Sequence, residues 1–147
     1  MEDSANKYFN KYLKQVYKLI GHKTTTNSDE LNIVGNTLFG KKYKGTYSSD
    51  NYPNLKKNEC MIVNVDKSNK SGSHWVGIYC YDKKKFLIFD SFGRKSSLLF
   101  PHFGKGYKLL DTDYDKDQKE SDKDCGQRSI SFLMVCYERG IKYAKLI

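Results

Sequence analysis

The chain has 147 residues, a formal net charge of +9 and a mean hydropathy of −0.73. That length suits one domain spanning residues 1–147, with a core that needs no metal or disulfide staples, and 38% hydrophobic with 14% aromatic residues argues against wholesale disorder. No apolar run approaches the ~18 residues of a membrane helix, and the opening Met1-Glu2-Asp3-Ser4 does not read as a secretory leader.

Residues 4–20 place Tyr8, Phe9, Tyr12, Leu13, Val16, Tyr17 and Ile20 on one stripe at helical spacing, and Gly21 is a natural stop. A second helix is expected over 28–39, capped by Asn27 or Ser28 with Glu30 in its first turn and ended by Gly40. Residues 41–58 are polar, with Gly45, Ser48, Ser49 and Pro53, and read as a long loop. The period then changes. Strands are expected over 60–65, 74–81 and 86–89, with a turn at 66–72 and a tight hairpin through 82–85. Residues 105–111 suit a fourth strand, 111–124 a charged loop, and 125–139 a final helix followed by Gly140. The fold class is therefore α+β, one domain of helices, then a mostly consecutive sheet, then a helix.

A basic chain is a candidate for anionic partners such as nucleic acid. However, 23 of the 26 basic residues are Lys, and only Arg94, Arg128 and Arg139 carry the guanidinium fork that suits phosphate. Lys, Asn, Tyr, Phe and Ile all have AT-rich codons, so genome composition competes with selected binding as the source of the charge. Cys60, Cys80, Cys125 and Cys136 form no disulfide framework, and the sequence has no CxxC or His-x-His spacing for zinc. Reduced intracellular thiols are expected.

Cys125 stands where loop becomes helix, with Gly126 after it. A helix start presents unpaired N–H groups and the positive end of the dipole. Both favour a thiolate, and both can hold the oxyanion of a tetrahedral intermediate. Gly126 lets a carbonyl approach the backbone closely. Alone, such a cysteine is more often a small packed hydrophobe. His74 opens one strand of the expected hairpin and Asp90 ends the other, so the two should meet at one sheet edge. A carboxylate there would orient the imidazole and support its charge; a turn-capping Asp also suits Asp90-Ser91-Phe92-Gly93. Gln118 precedes the cysteine closely enough for its amide to donate to an oxyanion.

The order His74-Trp75, Asp90-Ser91-Phe92-Gly93, Gln118, Cys125-Gly126 resembles the adenain-like cysteine proteases, the clan of the adenovirus endopeptidase and the ubiquitin-like-protein proteases. The resemblance covers about residues 28–140, and the stretch from Leu38-Phe39-Gly40 to Asp50 looks like the pre-strand segment of proteases from virophages and Polinton-type elements. It implies an α+β fold with the Cys helix packed on a central, mostly antiparallel sheet. Cys125 would be the nucleophile, His74 its base and acid, and Asp90 the orienting acid, where the adenovirus enzyme has Glu. Gln118 and the Cys125 N–H would form the oxyanion hole. Trp75 would wall a channel for small residues, giving cleavage after Gly-Gly or Gly-Xaa; plain core packing is its other reading. No cofactor would be required, with stimulation by DNA or a small peptide as in the adenovirus type. The expected partners are capsid or core precursors, and DNA through the basic surface, with no membrane. The expected setting is the host cytoplasm or virus factory and then the virion, as a monomer.

Residues 111–124 hold seven acids and three lysines, net −4, which leaves +13 on the rest of the chain. Either this is a solvated loop or it recognises basic capsid or core proteins. Asp124, directly before the nucleophile, and nearby Asp122 and Glu120 should oppose thiolate formation. Two further functions compete with a maturation protease: a deconjugase of ubiquitin-like modifiers, and a non-enzymatic basic module packaged with nucleic acid.

Overall fold

The structure, a computed structural model, describes residues 1–21, 26–65, 74–100, 106–112 and 124–147. Helix α1 (Glu2–Ile20) buries Ala5, Phe9, Tyr12, Leu13 and Val16 and ends at Gly21, whose φ of 78° an L side chain rarely adopts. Helix α2 (Ser28–Phe39) begins in a capping box: the Asn27 side chain accepts from the Glu30 N–H, and the Glu30 side chain accepts from the Asn27 N–H. Helix α4 (Cys125–Arg139) starts and stops as its sequence pattern predicts, and the one-turn helix α5 (Ile141–Ala144) follows Gly140.

Five strands lie in chain order across one sheet: β1 (Tyr43–Ser48), β2 (Cys60–Asn64), β3 (Trp75–Asp82), β4 (Lys85–Phe89) and β5 (Lys108–Asp111). The molecule is α+β, but the expectation of a mostly antiparallel sheet needs correction. The two central pairings are antiparallel, while β1 runs parallel to β2 and β5 parallel to β4. Parallel neighbours need a long return path. The chain from 49 to 59 provides one, and the stretch after β4, which includes the one-turn helix α3 (Ser96–Leu99), provides the other.

The loop expected over 41–58 is likewise only partly a loop. A 3₁₀ turn at Gly40–Lys42 leads into β1. Glycine and serine hid this strand, and tertiary contact supplies what propensity lacks. Tyr43 is buried against α2, its ring lying where a Cβ on Gly35 would stand (2.5 Å), and its hydroxyl meets Thr46 Oγ1 at 2.5 Å. The expected turn at 66–72 lies outside the described residues, as does most of the charged segment.

Strict alternation along β2, β3 and β4 divides the core between two faces. Cys60, Ile62, Trp75, Tyr79, Leu87 and Phe89 face the helices with the buried stripes of α1 and α4. Met61, Val63, Val76, Ile78, Cys80, Phe86 and Ile88 face the other side, packed with Leu55 and Phe100. Burial on both faces explains why Phe86-Leu87-Ile88-Phe89 is apolar throughout. Helix α4 packs tightly on the sheet at Gly77, where a Cβ would stand 2.8 Å from Phe132 Cδ2, and Ser129 Oγ donates to the Trp75 carbonyl at 3.3 Å.

Gly77→Ala is therefore expected to destabilise the fold by about 1–3 kcal/mol through overpacking, read as a lower denaturant midpoint. Phe132→Leu in the same chain should recover part of that loss. An alanine variant as stable as the parent would contradict this packing.

Candidate functional site

The β3–β4 hairpin sets the first half of the site. Gly77 pairs with Phe89 and Asp82 with Lys85, so the residue before β3 lies beside the residue after β4. These are His74 and Asp90, both 4% exposed, and His74 Nε2 donates to Asp90 Oδ1 at 2.5 Å. Asp90 also shapes its own turn: its Oδ1 accepts from the Phe92 N–H (3.0 Å) and its carbonyl from the Gly93 N–H (2.8 Å). The turn-capping and histidine-orienting readings of Asp90 thus coexist. Its second oxygen accepts from Arg94 Nε (2.7 Å) and the Arg94 N–H (3.2 Å). Burial alone would raise the Asp90 pKa, but the bonds from His74 and Arg94 outweigh it and hold the group at about 2.

Helix α4 supplies the second half. Cys125 is its first residue, 4% exposed, and its Sγ accepts from the Trp75 N–H at 3.4 Å. Burial pushes the His74 pKa down, but the bond to Asp90 and the nearness of Asp90 and Cys125 prevail and raise it. Phe92 stacks on the imidazole, centroids 4.4 Å apart at 24°, and the Arg94 guanidinium lies 5.4 Å from the Phe92 ring centre. With Nε2 on Asp90, the ring leaves Nδ1 buried and without a hydrogen-bond partner among the described residues.

The structure therefore brings His74, Asp90 and Cys125 together, as the sequence reading expects. Gln118 lies outside the described residues. Trp75 packs in the helix-side core, with its indole N–H donating to the Thr26 carbonyl at 3.1 Å. Gly126 has an internal reason to lack a side chain: a Cβ would lie 2.0 Å from Thr26 Oγ1 and 3.2 Å from Leu31 Cδ2. The close approach expected there is made by the protein itself.

Asp124 is buried beside the thiol, where its charge should disfavour a thiolate. Two groups meet that charge: Tyr17 Oη donates to its Oδ2 at 2.5 Å, and Arg128 Nε to its Oδ1 at 3.1 Å. Sequence reasoning missed Tyr17, Phe92, Arg94 and Arg128. Arg128 was legible as an i,i+4 partner of Asp124; Tyr17, 107 residues away, left no signal. Among the described residues, no group of three His, Cys, Asp or Glu could hold a metal ion.

Compared with models of known protein families, the chain matches none, and comparison with curated proteins finds no match.

The four thiols differ in setting. Burial pushes Cys60 up to about 12, raises Cys80, and raises Cys136 well above the usual thiol range. Iodoacetamide is expected to modify Cys125 first in the folded protein, read by peptide mass mapping. A raised His74 pKa means the imidazolium, and the stability it contributes, persists above the ordinary histidine range and is lost as pH rises through the raised value. Asp90→Asn should move the His74 titration, followed by ring-proton NMR, to lower pH. An unmoved midpoint would refute the coupling.

Proposed function

We propose that the protein is a cysteine endopeptidase of the adenain-like kind, with an adenain-like fold, acting on capsid or core precursors. One observation carries this reading: the buried His74 ring, braced by Asp90 through Nε2, keeps Nδ1 unbonded among the described residues beside the thiol that begins α4. The chain order of His74, Asp90 and Cys125, and Asp90-Ser91-Phe92-Gly93 as it stands in the turn, support it further.

In this mechanism His74 takes the Cys125 proton on Nδ1, and the thiolate adds to the scissile carbonyl carbon. N–H groups at the start of α4, with the Gln118 amide, stabilise the resulting oxyanion. The carbon–nitrogen bond breaks as His74 gives its proton to the leaving amine, leaving a thioester on Cys125. Water then attacks that thioester, His74 accepts a water proton, and carbon–sulfur cleavage restores the thiol. Asp90 keeps the ring oriented throughout, and its commitment to Arg94 keeps it ionised. The preference for Gly-Gly or Gly-Xaa before the cut rests on the family resemblance, since Trp75 packs in the helix-side core. No cofactor is required.

DNA association belongs to the same proposal. Lys7, Lys11, Lys14 and Lys18 stand exposed at three- and four-residue spacing on the outer face of α1, and the basic excess lies outside the acidic segment. Binding to duplex DNA should weaken steeply as salt rises. Affinity that stays constant between low and physiological salt would remove DNA from the scheme.

The decisive experiment is incubation with virion proteins of the same source, with mapping of new N-termini. Cleavage after small residues is expected, and Cys125→Ala should abolish it. His74→Ala should cost on the order of 10³-fold or more. No cleavage of any precursor, together with covalent capture by a ubiquitin-like vinyl sulfone, would replace the reading with a deconjugase. Salt-sensitive DNA binding with no thiol-dependent hydrolysis would replace it with a packaging protein.

A further inference from the structure

The turn that holds Asp90 also carries two side chains outward from the site. Phe92 stacks on the imidazole of His74, and the Arg94 guanidinium stands 5.4 Å from the Phe92 ring centre, within cation–aromatic range. Exposure rises along this series. His74 is buried, Phe92 is half-buried, and the Arg94 side chain is 42% exposed. The guanidinium is also fixed in place. Its Nε donates to Asp90 Oδ2 at 2.7 Å, and the Arg94 N–H donates to the same oxygen. A guanidinium has five N–H donors, and the bond to Asp90 engages Nε rather than the terminal Nη pair. An anchored cation thus reaches solvent beside a buried imidazole–thiol pair.

We propose that Arg94 is a substrate-binding residue that takes the carboxylate of an acidic side chain placed one to three residues after the cut. This deepens the protease reading and rests on it for the peptide, though not for the affinity toward a carboxylate. Geometry selects that side of the cut. His74 gives its proton to the leaving amine, so the segment that departs with that amine lies over the imidazole. The stack keeps the guanidinium carbon within about 10 Å of the imidazole centre, and an extended chain covers ~3.3–3.6 Å per residue, so the reach is up to three residues. Charge and shape select the ligand. Asp90 is shared between His74 and Arg94, so Arg94 does not have that carboxylate to itself. The planar fork of a guanidinium matches the two oxygens of a carboxylate in parallel bonds.

The test compares two alkylating agents of nearly equal size on Cys125 in the full chain: iodoacetate, which carries a carboxylate, and neutral iodoacetamide. Both report the same thiolate, so the ratio of their rates cancels any change in thiol acidity that loss of the Arg94–Asp90 bond brings. At low salt the ratio should exceed that of a short cysteine peptide, and it should fall as salt rises. Arg94→Gln should lower it on the order of threefold. Arg94→Met, which keeps an apolar contact for Phe92, carries the test if the glutamine variant does not fold. Lys83→Gln removes the same charge at the far end of the β3–β4 hairpin and should leave the ratio unchanged. A parent ratio no higher than the peptide's overturns the proposal without any variant, and so does an Arg94→Gln ratio equal to the parent's. With a cleavable precursor peptide, Glu in place of Ala two residues after the cut should raise kcat/KM severalfold in the parent and not in Arg94→Gln. Cleavage indifferent to that acid would refute the proposal and leave the protease standing. A carboxylate-selective thiol in a chain that cleaves no precursor would refute the protease reading and leave Arg94 as a carboxylate-binding residue.

Discussion

The seat of α4 on β3 is the constraint on which the candidate site depends. Helix and strand approach at Gly77, where the Phe132 ring takes the space of a missing side chain, and Ser129 bonds the Trp75 carbonyl. That contact sets the depth of the helix against the sheet. It also brings Cys125, one turn before Ser129, to the Trp75 N–H, and so to the strand that begins beside His74. A helix held further out would lengthen the reach from the thiol to the strand. The arrangement at the edge of the sheet follows from a packing choice in its middle.

Charge is arranged around this seat with equal economy. Asp90 would be costly as a buried carboxylate, yet four donors from His74, Phe92 and Arg94 converge on it. Asp124 is met by Tyr17 and Arg128. The two carboxylates flank one imidazole–thiol pair and differ in what they touch. One is bonded to the imidazole itself; the other to a tyrosine of α1 and an arginine one turn along α4. Two aspartates with the same intrinsic acidity thus serve different ends because their donors differ.

Much of this was legible in the sequence, for local reasons. The capping box at Asn27 and Glu30, the stripe of α1, the limits of α4 and the β3–β4 hairpin all follow from short-range patterns. The hairpin alone was enough to place His74 beside Asp90. What escaped depended on distant partners. Strand β1 exists because Tyr43 packs against Gly35 and the ladder to β2 closes, although Gly45 and the serines argue for a loop. The parallel edges come from connection paths that carry no periodic signal. Gly126 looked like space for a ligand and proved to be space for Thr26. Tyr17 was counted as one more aromatic on a helical stripe, since its bond to Asp124 spans 107 residues.

That span has a consequence for how the molecule comes into being. Helices α1 and α4 lie far apart along the chain, yet they are joined by bonds from Tyr17 to Asp124, Gln127 to Gly21, Ser131 to Phe9 and Arg139 to Tyr12, with sequence separations of 106 to 127 residues. Contacts of such high order close late, because the loop entropy is lost before any contact is gained. Until α4 has been made, the apolar stripe of α1 lacks most of the surface it packs against in the folded chain. Cys125 and the helix it begins therefore reach His74 only when the most distant contacts of the fold close.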